Sequence, residues 1–362
     1  MRVALQADQL AFAAPGGIAT YVRNLGPALA AAGAEVVPFH ARVEGWRDEP
    51  WMAGMRVVAL PRGIRTLYPS WDVLGRPPLE VGDVDVVHAT NPAAVPPAAP
   101  RRGLVVTVHD VAFLRAPELF PTAWRLLYRA GLRAAVRRAD LVLTPSRATA
   151  EDLLDRTGLD DARVRVTPLA AALPRGDAPT RVPLPPRYLL AVGTLEPRKN
   201  LARLVRAYRR AAASGLDAAL VLAGPAGWRT GDLDRELAAG GAGDVVLTGA
   251  LGAEDLDAAY RGATALVYPS LLEGFGLPVL EAMARGVPVV ASTDRAIAEV
   301  GGDAILAVDP RDEGAIAEAI LAVAGGGALA TRLSEAGRER AARFTWEATA
   351  RATLDAYREV AP

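Results

Sequence analysis

The segment YLLAVGTLEPRKN, residues 188–200, holds a strand-like apolar run, a glycine break, two adjacent cations and then an Ala/Leu/Arg stretch of helical period. A short apolar run passing at once into a helix begins a βαβ unit, and parallel sheets are assembled from such units. The alternation continues on both sides. Downstream, strands are predicted at Ala219–Ala223, Asp244–Thr248, Ala265–Tyr268, Val287–Ala291 and Ala304–Val308, with helices starting near Asn200, Asp232, Glu254, Pro278 and Glu313. Upstream, they are predicted at Arg2–Ala7, Glu35–His40, Arg56–Leu60, Val84–Ala89, Leu104–His109, Leu141–Thr144 and Val164–Pro168, with helices at Gly17–Ala32, Thr122–Arg138 and Arg147–Arg156. The runs lack polar alternation, as strands covered on both faces do.

The expected fold class is therefore α/β, with two Rossmann-like, doubly wound domains. Residues 172–187 carry five prolines with Gly, Asp and Thr, a semi-rigid linker between residues 1–171 and residues 188–343. Residues 344–362 read as a closing helix that crosses back to the first domain, capped by Thr345, with Glu347 favourable in its first turn. Open parallel sheets bind ligands at the carboxyl ends of their strands, so two such domains facing across a cleft would share one site.

Composition narrows the function. The 362 residues are 51% apolar and 23% charged, normal for a globular enzyme. Basic and acidic residues balance at 41 each, so the field that draws nucleic-acid binders to phosphate is missing, and no nucleic-acid partner is expected. Cysteine is absent, which excludes disulfides and thiolate chemistry. Met1–Leu5 runs straight into a strand without a secretory h-region, and the chain is read as cytosolic. Lys199 is the only lysine, the other basic residues being arginine.

Four segments carry candidate chemistry. Gly16 and Gly17, after Pro15, follow the first strand and open a helix, whose unpaired N–H groups suit an anion; an ordinary glycine loop reads the same way. His109, before Asp110 at a strand end, offers a hydrogen-bond donor to a sugar hydroxyl or to developing charge, unless it is satisfied locally. His40 and His88 end strand-like runs with nothing around them and are read as structural. Arg198 and Lys199 combine a donor fork with a point charge, the pair a diphosphate needs, against the alternative of two exposed surface cations. Glu273-Gly274-Phe275-Gly276-Leu277-Pro278-Val279-Leu280-Glu281 forms a loop running into a helix that starts at Pro278. Its carboxylates suit paired hydroxyls, or an acid and base of a glycosidase, or a helix start.

Gly16-Gly17, His109-Asp110, residues 193–200, the Glu273–Glu281 segment and the Phe344-Thr345-Trp346…Tyr357 tail together resemble glycosyltransferase family 4, of GT-B fold, over nearly the whole chain. The resemblance implies a retaining hexosyltransferase using a nucleotide-diphosphate sugar as substrate, with no cofactor and no metal. It implies that Arg198 and Lys199 hold the donor diphosphate, that Glu273 meets the transferred sugar, that Glu281 binds the ribose, and that His109 lies beside the donor sugar. Gly16, Gly17, Gly274, Phe275, Gly276 and Leu277 would complete the nucleotide-sugar site. Many members carry arginine where this chain has Thr194, which shifts charge duty to Arg198. The wording around Lys199 is similar to bacterial mannosyltransferases of surface-polysaccharide synthesis, favouring GDP-mannose over a UDP-sugar. The acceptor, a glycan, lipid-linked or small molecule, is expected on residues 1–171, where the Trp-, Arg- and Pro-rich stretch from His40 to Leu79 reads equally as an irregular specificity loop, an edge touching the inner membrane face or a plain surface excursion. Rival readings are an epimerase or phosphorylase of the same architecture and a non-catalytic sugar-binding protein.

Overall fold

The computed structural model describes residues 1–12, 16–172 and 181–362, so Pro15 and residues 173–180, half of the proline-rich segment, lie outside the described residues. Contacts divide the chain into two compact units: Met1–Leu169 with Thr345–Pro362, and Ala170–Phe344.

The first unit is built on a seven-stranded sheet of β1 (Arg2–Gln6), β2 (Glu35–Arg42), β3 (Val58–Gly63), β4 (Val86–Ala89), β5 (Gly103–Thr107), β6 (Leu141–Thr144) and β7 (Val164–Val166). The order is β3-β2-β1-β4-β5-β6-β7 and every pairing is parallel. The second sheet runs β10-β9-β8-β11-β12-β13, again all parallel. Its strands are β8 (Tyr188–Val192), β9 (Ala219–Ala223), β10 (Val245–Gly249), β11 (Ala265–Tyr268), β12 (Val289–Ser292) and β13 (Leu306–Val308). Central strands β5, β6, β11 and β12 are buried at every residue, which explains their unbroken apolar runs. Both sheets reverse direction of winding beside their first strand, between β1 and β4 and between β8 and β11, and a doubly wound sheet opens its ligand crevice there.

The tail forms the helix Trp346–Val360, with Thr345 Oγ1 accepting from Ala348 N at 3.1 Å as an N-cap. It packs on the helix Gly17–Ala31 and on β5, and Thr349 Oγ1 donates to Pro168 O at 2.6 Å.

Three expectations are corrected. Residues 40–79 are more ordered than an irregular loop: besides the end of β2 and the anticipated strand, seen as β3, they contain a helix at Ile64–Pro69 and a π-type turn at Ser70–Leu74. Trp71 anchors them, 1% exposed, its Nε1 donating to Pro77 O at 2.9 Å, a tertiary contact that leaves no local periodicity to read. Helices at Arg295–Gly301 and Gly327–Ala341 were not anticipated, one for its shortness and the other because Gly325, Gly326 and Gly327 mask its start. Strand β5 ends at Thr107, two residues before His109. Among the described residues, no single helix is long and apolar enough to cross a membrane.

Candidate active site

In the second unit, the loops that follow β8 and β11 meet at the switch point of the sheet. Gly193, φ 144°, leaves β8 in a conformation that favours glycine, and a Cβ there would stand 3.1 Å from Lys199 Cε, so glycine also makes room for the lysine stem. A single helical turn, Pro197–Lys199, ends on Asn200 in the left-handed region, φ 60°, which Asn tolerates better than most residues. Asn200 Nδ2 donates to Pro269 O at 3.1 Å and to Pro310 O at 2.7 Å, and Leu271 N donates to Arg198 O at 2.9 Å. These bonds fix the cation-bearing turn to the loops beyond β11 and β13.

The result is a compact charge cluster. Lys199 Nζ donates to Glu273 Oε1 and to Tyr268 OH, both at 2.6 Å, while Tyr268 OH donates to Glu273 Oε1 at 2.7 Å. Arg198 Nη1 donates to Glu273 Oε2 at 2.9 Å and to Leu272 O at 3.0 Å, and its Nε donates to Glu196 Oε1 at 2.9 Å. The Lys199, Arg198 and Glu273 side chains are 11%, 15% and 8% exposed, which removes the alternative of two exposed surface cations. Burial alone would raise the Glu273 pKa; Arg198 and then Lys199 overcome it and hold the carboxyl at about 2. Burial lowers the Lys199 pKa against the opposing pull of Glu273, and burial raises that of Glu196 against Arg198. Two cations and two carboxylates thus balance, and each cation is held in place by a short charge-assisted bond. An incoming anion finds donors already aimed and need only share them with Glu273.

Glu281 sits apart from that cluster, inside the helix Leu277–Ala284. Gly276, φ 103°, is the left-handed residue that turns the chain into this helix, after Gly274 and Phe275. The Phe275 ring packs edge-on against Phe344, centroids 5.9 Å apart, so only its backbone is left for a ligand. Leu277 opens the helix and is half-buried. Tyr260 OH donates to Glu281 Oε2 at 2.9 Å, and burial pushes the Glu281 pKa up to about 7. A carboxyl with that pKa is partly protonated at neutral pH and becomes a full acceptor for paired hydroxyls only above it. Ligand affinity that depends on Glu281 is therefore expected to fall as pH drops through about 7, and Glu281→Gln should flatten this dependence. Calorimetric titration of a nucleoside diphosphate at several pH values checks it; an unchanged pH profile in the variant rules out contact through Glu281.

In the first unit, His109 Nε2 lies 2.9 Å from Thr90 O. A carbonyl can only accept, so Nε2 carries the proton, and burial, which lowers the His109 pKa to about 4, keeps the ring neutral. Nδ1 is then an acceptor. The bond to Thr90 O is the local satisfaction that the sequence left open for His109, and while it holds, the ring's remaining polar atom is an acceptor. Its ring meets Tyr21 edge-on at 4.9 Å. Behind it runs a buried chain, Tyr21 OH to Thr107 Oγ1 (3.2 Å), Thr107 Oγ1 to His88 Nε2 (2.7 Å) and His88 Nδ1 to Tyr357 OH (2.6 Å), which ties the tail helix to the Gly17 helix beneath His109. His88 is thereby structural, and so is His40, stacked on Trp46 at 3.8 Å.

Gly16 has φ −94°, ordinary extended backbone, so its conformation does not demand glycine; what glycine leaves is open space, with nothing within 4 Å of where a Cβ would be. Gly17 is the first residue of a helix without a side-chain cap, and its first N–H groups are free of such a partner. The sequence did not single out Tyr268, Glu196 or Tyr260. Among the described residues, no group of three or more His, Asp or Glu is placed to hold a metal.

Residues 177–340 match the family Glycosyl transferases group 1, and residues 15–175 match Glycosyltransferase Family 4. O-antigen chain mannosyltransferase B of Escherichia coli is 34% identical over 267 residues, covering 70% of this chain and 70% of that protein. Among solved structures, sucrose-phosphate synthase from Thermosynechococcus elongatus superposes with a TM-score of 0.75 at 25% identity, covering 99% of this chain and 98% of its own. Anabaena HepE, solved with UDP and glucose, gives a TM-score of 0.74 at 18% identity, covering 98% of each chain.

Proposed function

The chain belongs to the glycosyltransferases of family 4 and group 1, with the two parallel-sheet domains of the GT-B fold, and on that premise we propose that it moves mannose from GDP-mannose to a glycan or lipid-linked acceptor with retention of configuration. The observation that carries this reading is the cluster of Lys199, Arg198, Glu273 and Tyr268 at the switch point of the second sheet.

The anomeric carbon's bond to the β-phosphate oxygen breaks through an oxocarbenium-like state, and negative charge grows on the leaving diphosphate. Lys199 and Arg198 stabilise that charge from fixed positions, with no reorganisation at the moment of reaction. A new bond forms between the anomeric carbon and the acceptor oxygen on the face the diphosphate leaves, and the acceptor's proton passes to the leaving phosphate oxygen. Glu273, ionised at any physiological pH, steadies both cations and faces the positive sugar. Glu281 takes the ribose hydroxyls, and His109 accepts from a sugar hydroxyl through Nδ1. Because two side-chain cations already meet the diphosphate, turnover needs no metal. Mannose rests on likeness to the Escherichia coli mannosyltransferase and the guanine base on the resemblance of the segment around Lys199; the UDP and glucose held by HepE make a UDP-sugar the second choice.

The test is release of nucleoside diphosphate from GDP-mannose and from UDP-glucose, with and without chelator. Acceptor-stimulated GDP release that survives chelator supports the proposal. Tight binding of nucleotide sugars without turnover on any acceptor would point to a sugar-binding protein instead, and metal-dependent turnover would overturn the metal-free reading.

A further inference from the structure

The helix Thr122–Arg138 of the first unit contains five arginines and no acid. Arg125, Arg129, Arg133 and Arg137 follow one another at four-residue intervals, which sets them in a single row along the helix. Like charges at that spacing repel and weaken a helix unless an opposite charge faces them. Among the described residues none of the four forms an ion pair; Arg133 and Arg137 are exposed, while Arg125 and Arg129 are half-buried, their Nε atoms buried without a hydrogen-bond partner. The comparable row in the second unit behaves differently. On the helix Leu201–Ala213, Arg206 pairs with Glu236 and Glu313, Arg209 with Glu236 and Arg210 with Glu313. An arginine row in this protein is thus neutralised in one place and left open in the other.

The open row is bordered by apolar side chains that water does not favour. The three most exposed large apolar residues among those described are Leu74 (69%), Val73 (65%) and Leu126 (64%), and Trp124 at 48% is next. Trp124 and Leu126 lie at the helix start. Val73 and Leu74 lie in the turn against its end, where Arg138 Nη1 donates to Trp71 O at 2.6 Å. We propose that this helix and the Ser70–Leu74 turn dock on an anionic lipid bilayer, the arginine row meeting headgroup phosphates while Trp124, Leu126, Val73 and Leu74 enter the interface. Exposed apolar residues at both ends of a cationic row fit a bilayer surface better than a polynucleotide, which would meet them with phosphate alone. The docking stands independently of the donor and of the reaction.

Co-sedimentation of the full chain with vesicles tests it. Binding is expected to vesicles of phosphatidylglycerol and phosphatidylcholine, and little to phosphatidylcholine alone. Each basic residue at such a surface is worth a factor of roughly five, so Arg133→Glu/Arg137→Glu should weaken partitioning roughly 25-fold or more. Both positions are exposed, and a melting curve equal to the parent's confirms the fold. The matched control, Arg332→Glu/Arg351→Glu on exposed positions of two other helices, should bind like the parent. Equal loss in both variants, an unchanged affinity in the first, or parent protein that ignores anionic vesicles but retains a DNA duplex would each overturn the proposal.

Discussion

Lys199→Ala is expected to lower turnover by roughly 100- to 1,000-fold, the scale seen when one preorganised donor to a developing anion is removed. The charge on the diphosphate oxygen is larger in the transition state than in the bound donor. The loss should therefore fall more heavily on kcat than on donor affinity. The variant should fold, because Glu273 keeps Arg198 and Tyr268 as partners. A buried position still costs something: losing one charged partner inside the cluster should remove about 1 to 3 kcal/mol of stability. Steady-state kinetics beside a denaturation curve separates the two effects. Turnover within a few-fold of the parent in a folded variant would remove the lysine from the chemistry.

Glu273→Leu should act mainly on the fold. Lys199 and Arg198 are 11% and 15% exposed, and Glu273 is the carboxylate they share. Breaking a buried pair leaves an uncompensated charge and costs about 3 to 5 kcal/mol. For a unit of this size that lowers the melting temperature on the order of 10 °C. Glu273→Gln keeps the acceptor oxygen and loses only the charge, so it should lie between parent and Leu variant in stability. If the Leu variant melts with the parent, the cluster is open enough for water to replace the carboxylate, and the preorganised-cation account fails with it.

The sequence made much of the scaffold legible, for a physical reason. Strands such as Leu141–Thr144, Ala219–Ala223 and Ala265–Tyr268 have the residue bounds read from the sequence, because a strand covered on both faces must be apolar throughout and stop where the chain turns polar. The tail helix was legible from Thr345, whose cap is a local bond. The Ser70–Leu74 turn was not, since it is held by Trp71 and by Arg138, 67 residues from Trp71 along the chain. At the candidate site, Arg198, Lys199 and Glu273 stood out by charge and by resemblance to a family. Tyr268 and Tyr260 did not, because a buried tyrosine at a strand or helix end reads as core until its hydroxyl is seen to donate to a carboxylate. Nor does any local pattern around His109 reveal that its Nε2–H donates to Thr90 O, 19 residues earlier, which leaves Nδ1 as the ring's acceptor.

The central claim is that Lys199 and its partners hold a diphosphate, and the most direct measurement is the gain in affinity from the β-phosphate. Calorimetric titration of nucleoside diphosphate and monophosphate into parent and Lys199→Ala isolates it. A charged hydrogen bond of about 1.5 to 3 kcal/mol means that the parent should prefer the diphosphate by roughly 10- to 150-fold. Most of that preference should vanish in the variant. An equal preference in both proteins would contradict the claim.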